Sequence, residues 1–68
     1  MDLPIGKNIK ELRQKAGLTQ RALANDLQVS VQAVSKWEQG RSYPDLPLLP
    51  LIASYFSVSI DELFKIEE

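Results

Sequence analysis

Apolar residues Ile5, Ile9, Leu12 and Ala16 recur at spacings of four, three and four, which is one face of a helix. This predicts a first helix over 5–16, with Gly17 free to take the left-handed conformation that ends one. Three later positions share a local chemistry: an apolar residue, a hydroxyl residue, then an apolar residue four beyond the hydroxyl. They are Leu18-Thr19-Leu23, Val29-Ser30-Val34 and Val58-Ser59-Leu63. In each the hydroxyl is placed to accept from an unpaired amide of the first turn, while the apolar pair clips the incoming chain to the helix. Glu62, three residues after Ser59, completes a capping box, its carboxylate reaching back to the cap amide.

These signals predict helices over 20–27, 31–39 and 60–64, the third one ended by Gly40. Only Gln28 and Val29 separate the second helix from the cap of the third. So short a link prevents the two from running antiparallel and makes them cross steeply. A fourth helix is signalled by Leu48, Leu51, Ile52 and Tyr55, with Pro44-Asp45 as its start. If Asp45 were the cap, Pro50 would forfeit its bond to the Leu46 carbonyl, so the well-formed part is expected from near Pro47. Lys65 to Glu68 are expected to fray. The fold class is all-α, five helices in one domain over residues 1–68.

A chain of 68 residues buries only about 60% of its unfolded surface, so its core must be economical. The absence of cysteine and histidine removes disulfides, thiolate or imidazole metal sites and the usual general base of hydrolases. Ser35 beside Lys36 is no catalytic pair, because successive helix residues point about 100° apart. An enzyme is therefore not expected, and no cofactor or metal is implied. The longest apolar stretch, Leu46 to Phe56, is interrupted by Pro47 and Pro50 and falls short of the roughly 20 residues of a membrane helix. Met1 to Gly6 lacks the basic start of a signal peptide, so a cytoplasmic protein is expected.

The net charge of −1 argues against a nucleic-acid partner until its distribution is considered. Between residues 7 and 41, seven basic residues (Lys7, Lys10, Arg13, Lys15, Arg21, Lys36, Arg41) face Glu11, Asp26 and Glu38, a net of +4. After Arg41 only Lys65 balances Asp45, Asp61, Glu62, Glu67 and Glu68, a net of −4, and Asp2 supplies the rest.

Residues 20–39 resemble the helix-turn-helix of the phage Cro and cI repressor family, through Thr19-Gln20, Leu23-Ala24, Leu27, Val29, Val34 and Trp37. Trp37-Glu38-Gln39-Gly40-Arg41, Pro44-Asp45 and Val58-Ser59-Ile60-Asp61-Glu62-Leu63 are similar to the ending common in bacterial members. The resemblance covers nearly the whole chain and implies a lambda-repressor-like DNA-binding domain. Ala24 has to be small where the third helix crosses, and Val34 and Trp37 close the wedge with Leu23 and Leu27. Similar sequences place glycine where this one has Gln28, whose positive φ would store about 1 kcal/mol. The resemblance also implies that Arg13 pairs with Glu38, tying the first helix to the third.

By that likeness the start of the third helix enters the major groove and presents Val31, Gln32, Ser35 and Lys36 to base edges. Gln32 suits adenine, Lys36 guanine and the Val31 methyls a thymine methyl, while Ala33 gives clearance. Phosphate contacts are expected from Gln20, Arg41, Ser42 and Tyr43. Lys7, Lys10 and Lys15 read more simply as a solvated face. The implied partner is double-stranded DNA, a palindromic operator bound by a homodimer, with the chain acting as a repressor, alone or as the N-terminal domain of a longer regulator. Leu46, Leu49, Phe56 and Ile66 either pair two copies or finish the chain's own core. A second reading makes the same fold an antitoxin-like or adaptor module that binds protein through its acidic C-terminal part. The two readings part at Gln32 and Lys36, which only the first requires.

Overall fold

Three hydroxyls set the framework of the computed structural model, which describes residues 3–66. In chain order the helices are α1 (Ile5–Lys15), α2 (Gln20–Leu27), α3 (Val31–Glu38), α4 (Leu48–Tyr55) and α5 (Ile60–Leu63). Thr19 accepts from the Ala22 amide at 3.0 Å, Ser30 from Ala33 at 3.0 Å and Ser59 from Glu62 at 3.3 Å, which starts α2, α3 and α5. The apolar residues four beyond these caps, Leu23, Val34 and Leu63, are each 0% exposed. Local capping and burial therefore agree at all three starts. The Glu62 half of the capping box is not made: its side chain stays exposed and does not return to the Ser59 amide, since water competes for an exposed carboxylate.

Two link residues adopt positive φ without being glycine, Gln28 at 60° and Ser57 at 58°. Gln28 ends α2 and its amide bonds to the Asn25 carbonyl, which lets Val29 and Ser30 turn directly into α3. The strain foreseen for Gln28 is present; Ser57, which does the same service after α4, carries no comparable signal. Gly17 and Gly40 end α1 and α3 with φ of 72° and 74°. α1 stops at Lys15 and leaves Ala16 exposed, while Gln39 is the C-cap of α3.

The phase of α4 differs from the expected stripe. Leu49, Ile52 and Ala53 are buried, and Leu51 is 59% exposed. Every position from Leu48 to Ala53 is apolar, so periodicity admits two stripes, and packing on α5 decides between them. The chosen stripe leaves Pro47 and Pro50 on the outer face. Pro47, rather than Asp45, occupies the cap position, and no side chain caps the helix. Pro50 then falls in the first turn, where an amide would lack a helical partner anyway. Leu49 accordingly belongs to the core and is not available for pairing two copies, while Leu46 at 79% and Ile66 at 63% remain exposed.

Two contacts that the sequence reading passed over hold the layers together. Asn8 lies on the buried side of α1, and its amide nitrogen donates to the carbonyls of Leu63 at 2.8 Å, Lys65 at 3.0 Å and Glu62 at 3.3 Å. A single-turn helix cannot sustain itself, so this side chain closes the end of α5 against α1. It also fixes the backbone of Lys65, which was expected to fray; Glu67 and Glu68, like Asp2, lie outside the described residues. Gly6 faces α3 so closely that an added Cβ would fall 1.6 Å from the Trp37 carbonyl oxygen. No described helix is long and apolar enough to cross a membrane.

Tyr55 ties α4 to α2 by donating to Asp26 Oδ2 at 2.5 Å. That bond, followed by partial desolvation and the carboxylate's charge, holds the phenol pKa above its ordinary 10.0. A raised folded-state value means that the bond stabilises fully below about pH 10 and is lost as pH rises through the folded value. Thermal melts from pH 9 upward should show an alkaline loss in the wild type that is smaller in Tyr55→Phe; equal slopes would contradict the assignment. Asn8→Ala removes the donor to three carbonyls, leaving that of Leu63 unpaired in the interior, and should cost about 2 kcal/mol, a melting temperature lower by roughly 10 °C. An unchanged melting temperature in circular dichroism would show that α5 needs no such anchor.

Candidate nucleic-acid interface

The placement of α3 rests on one carboxylate. Glu38 accepts from Arg13 Nε at 2.7 Å and Arg13 Nη2 at 3.1 Å, a bidentate pair, and from Gln20 Nε2 at 3.0 Å. Arg13 Nη1 donates to the Leu18 carbonyl at 2.6 Å in the α1–α2 link. The Arg13 and Glu38 side chains are 12% and 3% exposed, so water screens the pair little. The Glu38 bond and charge, opposed by desolvation, hold the guanidinium pKa above its ordinary value. Charge therefore joins α1, α2 and α3 at one point, as the resemblance implied for Arg13 and Glu38. The negative charge of Glu38 is turned away from the outer face of α3 and neutralised.

Apolar packing fixes the rest of the angle. Ala24 and Val34 are 0% exposed and Trp37 4%, each within the core that Leu23, Ile9 and Ile52 complete. Trp37 is thereby unavailable as a stacking platform for single strands. Leu27 and Val29 pack partly buried against the same cluster.

With the inner face of α3 committed, its outer face forms a shallow depression with the start of α2. Gln20, Val31, Gln32, Ser35, Lys36, Gln39 and Arg41 line it. Two cations, three amides and a hydroxyl converge there, with no carboxylate among the lining residues. All four residues expected to meet base edges are in it: Gln32 and Lys36 exposed, Val31 and Ser35 half-buried. Of the four expected at phosphates, Gln20 and Arg41 line it and Ser42 and Tyr43 lie outside. Tyr43 is turned toward the N-terminal segment, where its hydroxyl accepts from the Leu3 amide at 3.2 Å.

Gln39 is the residue of this face that sequence reasoning missed. It donates from Nε2 to Ser35 Oγ at 2.9 Å. Its spacing of four from Ser35 and seven from Gln32 is the signal in the sequence that places it on the same face of the helix. Lys7, Lys10, Lys15 and Arg21 are exposed outside the depression.

This arrangement, two helices joined through a left-handed Gln28 with a cationic outer face on the second, defines a helix-turn-helix domain. The sequence matches the helix-turn-helix family HTH_3 over residues 9–63, and the chain belongs to that family. It is 44% identical over 66 residues to the HTH-type transcriptional activator BcrR of Enterococcus faecalis, covering 97% of this chain and 32% of BcrR. A transcriptional regulator from Listeria innocua superposes with a TM-score of 0.86 at 30% identity, over 100% of this chain and 64% of the other. The restriction-modification controller protein C.AhdI from Aeromonas hydrophila gives 0.80 at 27% identity, over 91% and 94%. The chain spans about half or less of the length of the first curated relatives it matches.

Removing the Glu38 carboxylate leaves Arg13 charged and nearly buried. Glu38→Ala should therefore cost about 3 kcal/mol or more, and the double variant with Arg13→Ala should cost clearly less than the two single losses added. Urea unfolding of the three variants measures this; full additivity would mean that the pair holds nothing.

Proposed function

We propose that this chain binds double-stranded DNA sequence-specifically and regulates transcription by inserting α3 in the major groove. The carrying observation is the depression on α3, where Lys36 and Arg41 stand among amides and a hydroxyl while the one acid of the helix is sealed inward. Eight helical residues are about 12 Å long, comparable with the width of the groove. Gln32 pairs bidentately with adenine, Lys36 donates to guanine, Val31 packs on a thymine methyl and Ser35 takes a further base edge. Arg41 and Ser42 meet phosphates, as do the amides at the start of α2 at Gln20, and the Tyr43 hydroxyl, which accepts from Leu3, keeps its hydrogen to donate to one. The exposed lysines of α1 and Arg21 add a positive field that draws the duplex in.

One domain reads only a half-site, so the proposed working unit is a homodimer on a palindrome with half-sites about 34 Å apart. Leu46 and Ile66 are the exposed apolar residues placed to contribute to pairing. We propose that occupancy of a site overlapping a promoter excludes the polymerase, a repressor role exercised in the cytoplasm without catalysis. By analogy with BcrR, of which the chain spans 32%, the chain is proposed to be the DNA-binding part of a longer regulator.

The test is selection from a randomised duplex pool followed by fluorescence anisotropy at two salt concentrations, for wild type and Lys36→Ala. The expected outcome is an enriched palindrome and affinity that falls steeply with salt, by about 0.9 in log–log slope for each phosphate neutralised. Lys36→Ala should lose about tenfold in preference at one base pair. If nothing enriches and Lys36→Ala binds as weakly as the wild type, the DNA reading is wrong and a protein partner is the remaining one.

A further inference from the structure

Gln39 acts on the hydroxyl of Ser35. A serine inside a helix commonly donates its hydroxyl hydrogen back to the carbonyl three or four residues earlier. Here no such bond forms to Gln32 or Val31; instead Gln39 Nε2 donates to Ser35 Oγ at 2.9 Å. The amide nitrogen is a donor only, so one lone pair of the hydroxyl oxygen is filled from the C-terminal side of the helix. The O–H is left without a partner, half-buried in the depression that Gln32 and Lys36 also line.

We propose that Gln39 is a positioning residue for sequence readout, which favours Ser35 as the donor to an acceptor on a base edge. This rests on the reading of α3 as the helix in the groove. Major-groove edges differ in their pattern: guanine offers N7 and O6, thymine O4 and adenine N7 as acceptors, whereas cytosine offers only its N4 donor. At the base Ser35 faces, the wild type therefore selects against cytosine. In free solution water competes for a bond between exposed side chains, but groove docking excludes that water, and the polarity of the bond becomes a polarity of recognition.

Two variants reverse or remove this polarity without touching the core, since Gln39 is exposed. Gln39→Met keeps the length and removes the donor. Gln39→Glu replaces the donor with an acceptor, so the Ser35 hydroxyl turns its hydrogen inward to the carboxylate and presents oxygen to the base. The experiment is duplex selection with the full chain as wild type, Ser35→Ala, Gln39→Met and Gln39→Glu, with folding verified by circular dichroism. Ser35→Ala and Gln39→Met should relax the same single position, each by about fivefold. Gln39→Glu should shift that position toward cytosine while its added charge weakens all sites alike.

If Ser35→Ala relaxes one position and Gln39→Met leaves it unchanged, or relaxes a different one, the proposal is overturned while DNA reading by α3 stands. If the wild type enriches no sequence at all, the groove reading fails and this one falls with it.

Discussion

A carboxylate with three hydrogen bonds, two from Arg13 on α1 and one from Gln20 on α2, is the point on which α3 turns. Buried ion pairs are costly to form, because both charges leave water, and are correspondingly costly to break from one side. They bring directionality that apolar packing lacks. Val34 and Trp37 bury the inner face of α3, and the bidentate geometry at Glu38 adds a directional restraint on rotation about its axis. That rotation decides which residues face outward. The same bond removes a negative charge from the surface on which phosphate would lie, so stability and electrostatic suitability for DNA have one source.

The remaining helices serve that arrangement at lower cost. Gly6 lets α1 approach the Trp37 carbonyl at a distance no larger side chain permits. Asn8 then uses the same helix to close α5, two positions further on and on the buried side. α1 is thus clasped to α3 by Gly6 and Arg13 and to α5 by Asn8. α4, capped by no side chain and exposing Pro47, Pro50 and Leu51, is held to α2 by Tyr55 and Asp26.

What could be read from the sequence was whatever depends on neighbours in the chain. The hydroxyl caps at Thr19, Ser30 and Ser59 are local, and each was placed to the residue. The strained turn at Gln28 was legible only through the resemblance, because similar sequences place glycine at that position. The Arg13–Glu38 pair, 25 residues apart, entered only through the resemblance to the phage repressor family. Asn8 and Gly6 escaped because their partners come from α5 and α3. Both left a trace, a polar residue beside the apolar stripe and a glycine inside a helix, that has meaning only once the helices are packed. α4 was misphased for a different reason: where every residue is apolar, periodicity holds no information about which side is buried.

We propose that this packing holds the outer face of α3 against DNA. The most direct measurement is a titration of the isotope-labelled chain with its enriched duplex, followed by backbone amide chemical shifts. The largest changes are expected in Val31–Gln39 and at the start of α2. Changes concentrated on α4 or α5, with the amides of α3 silent, would contradict it.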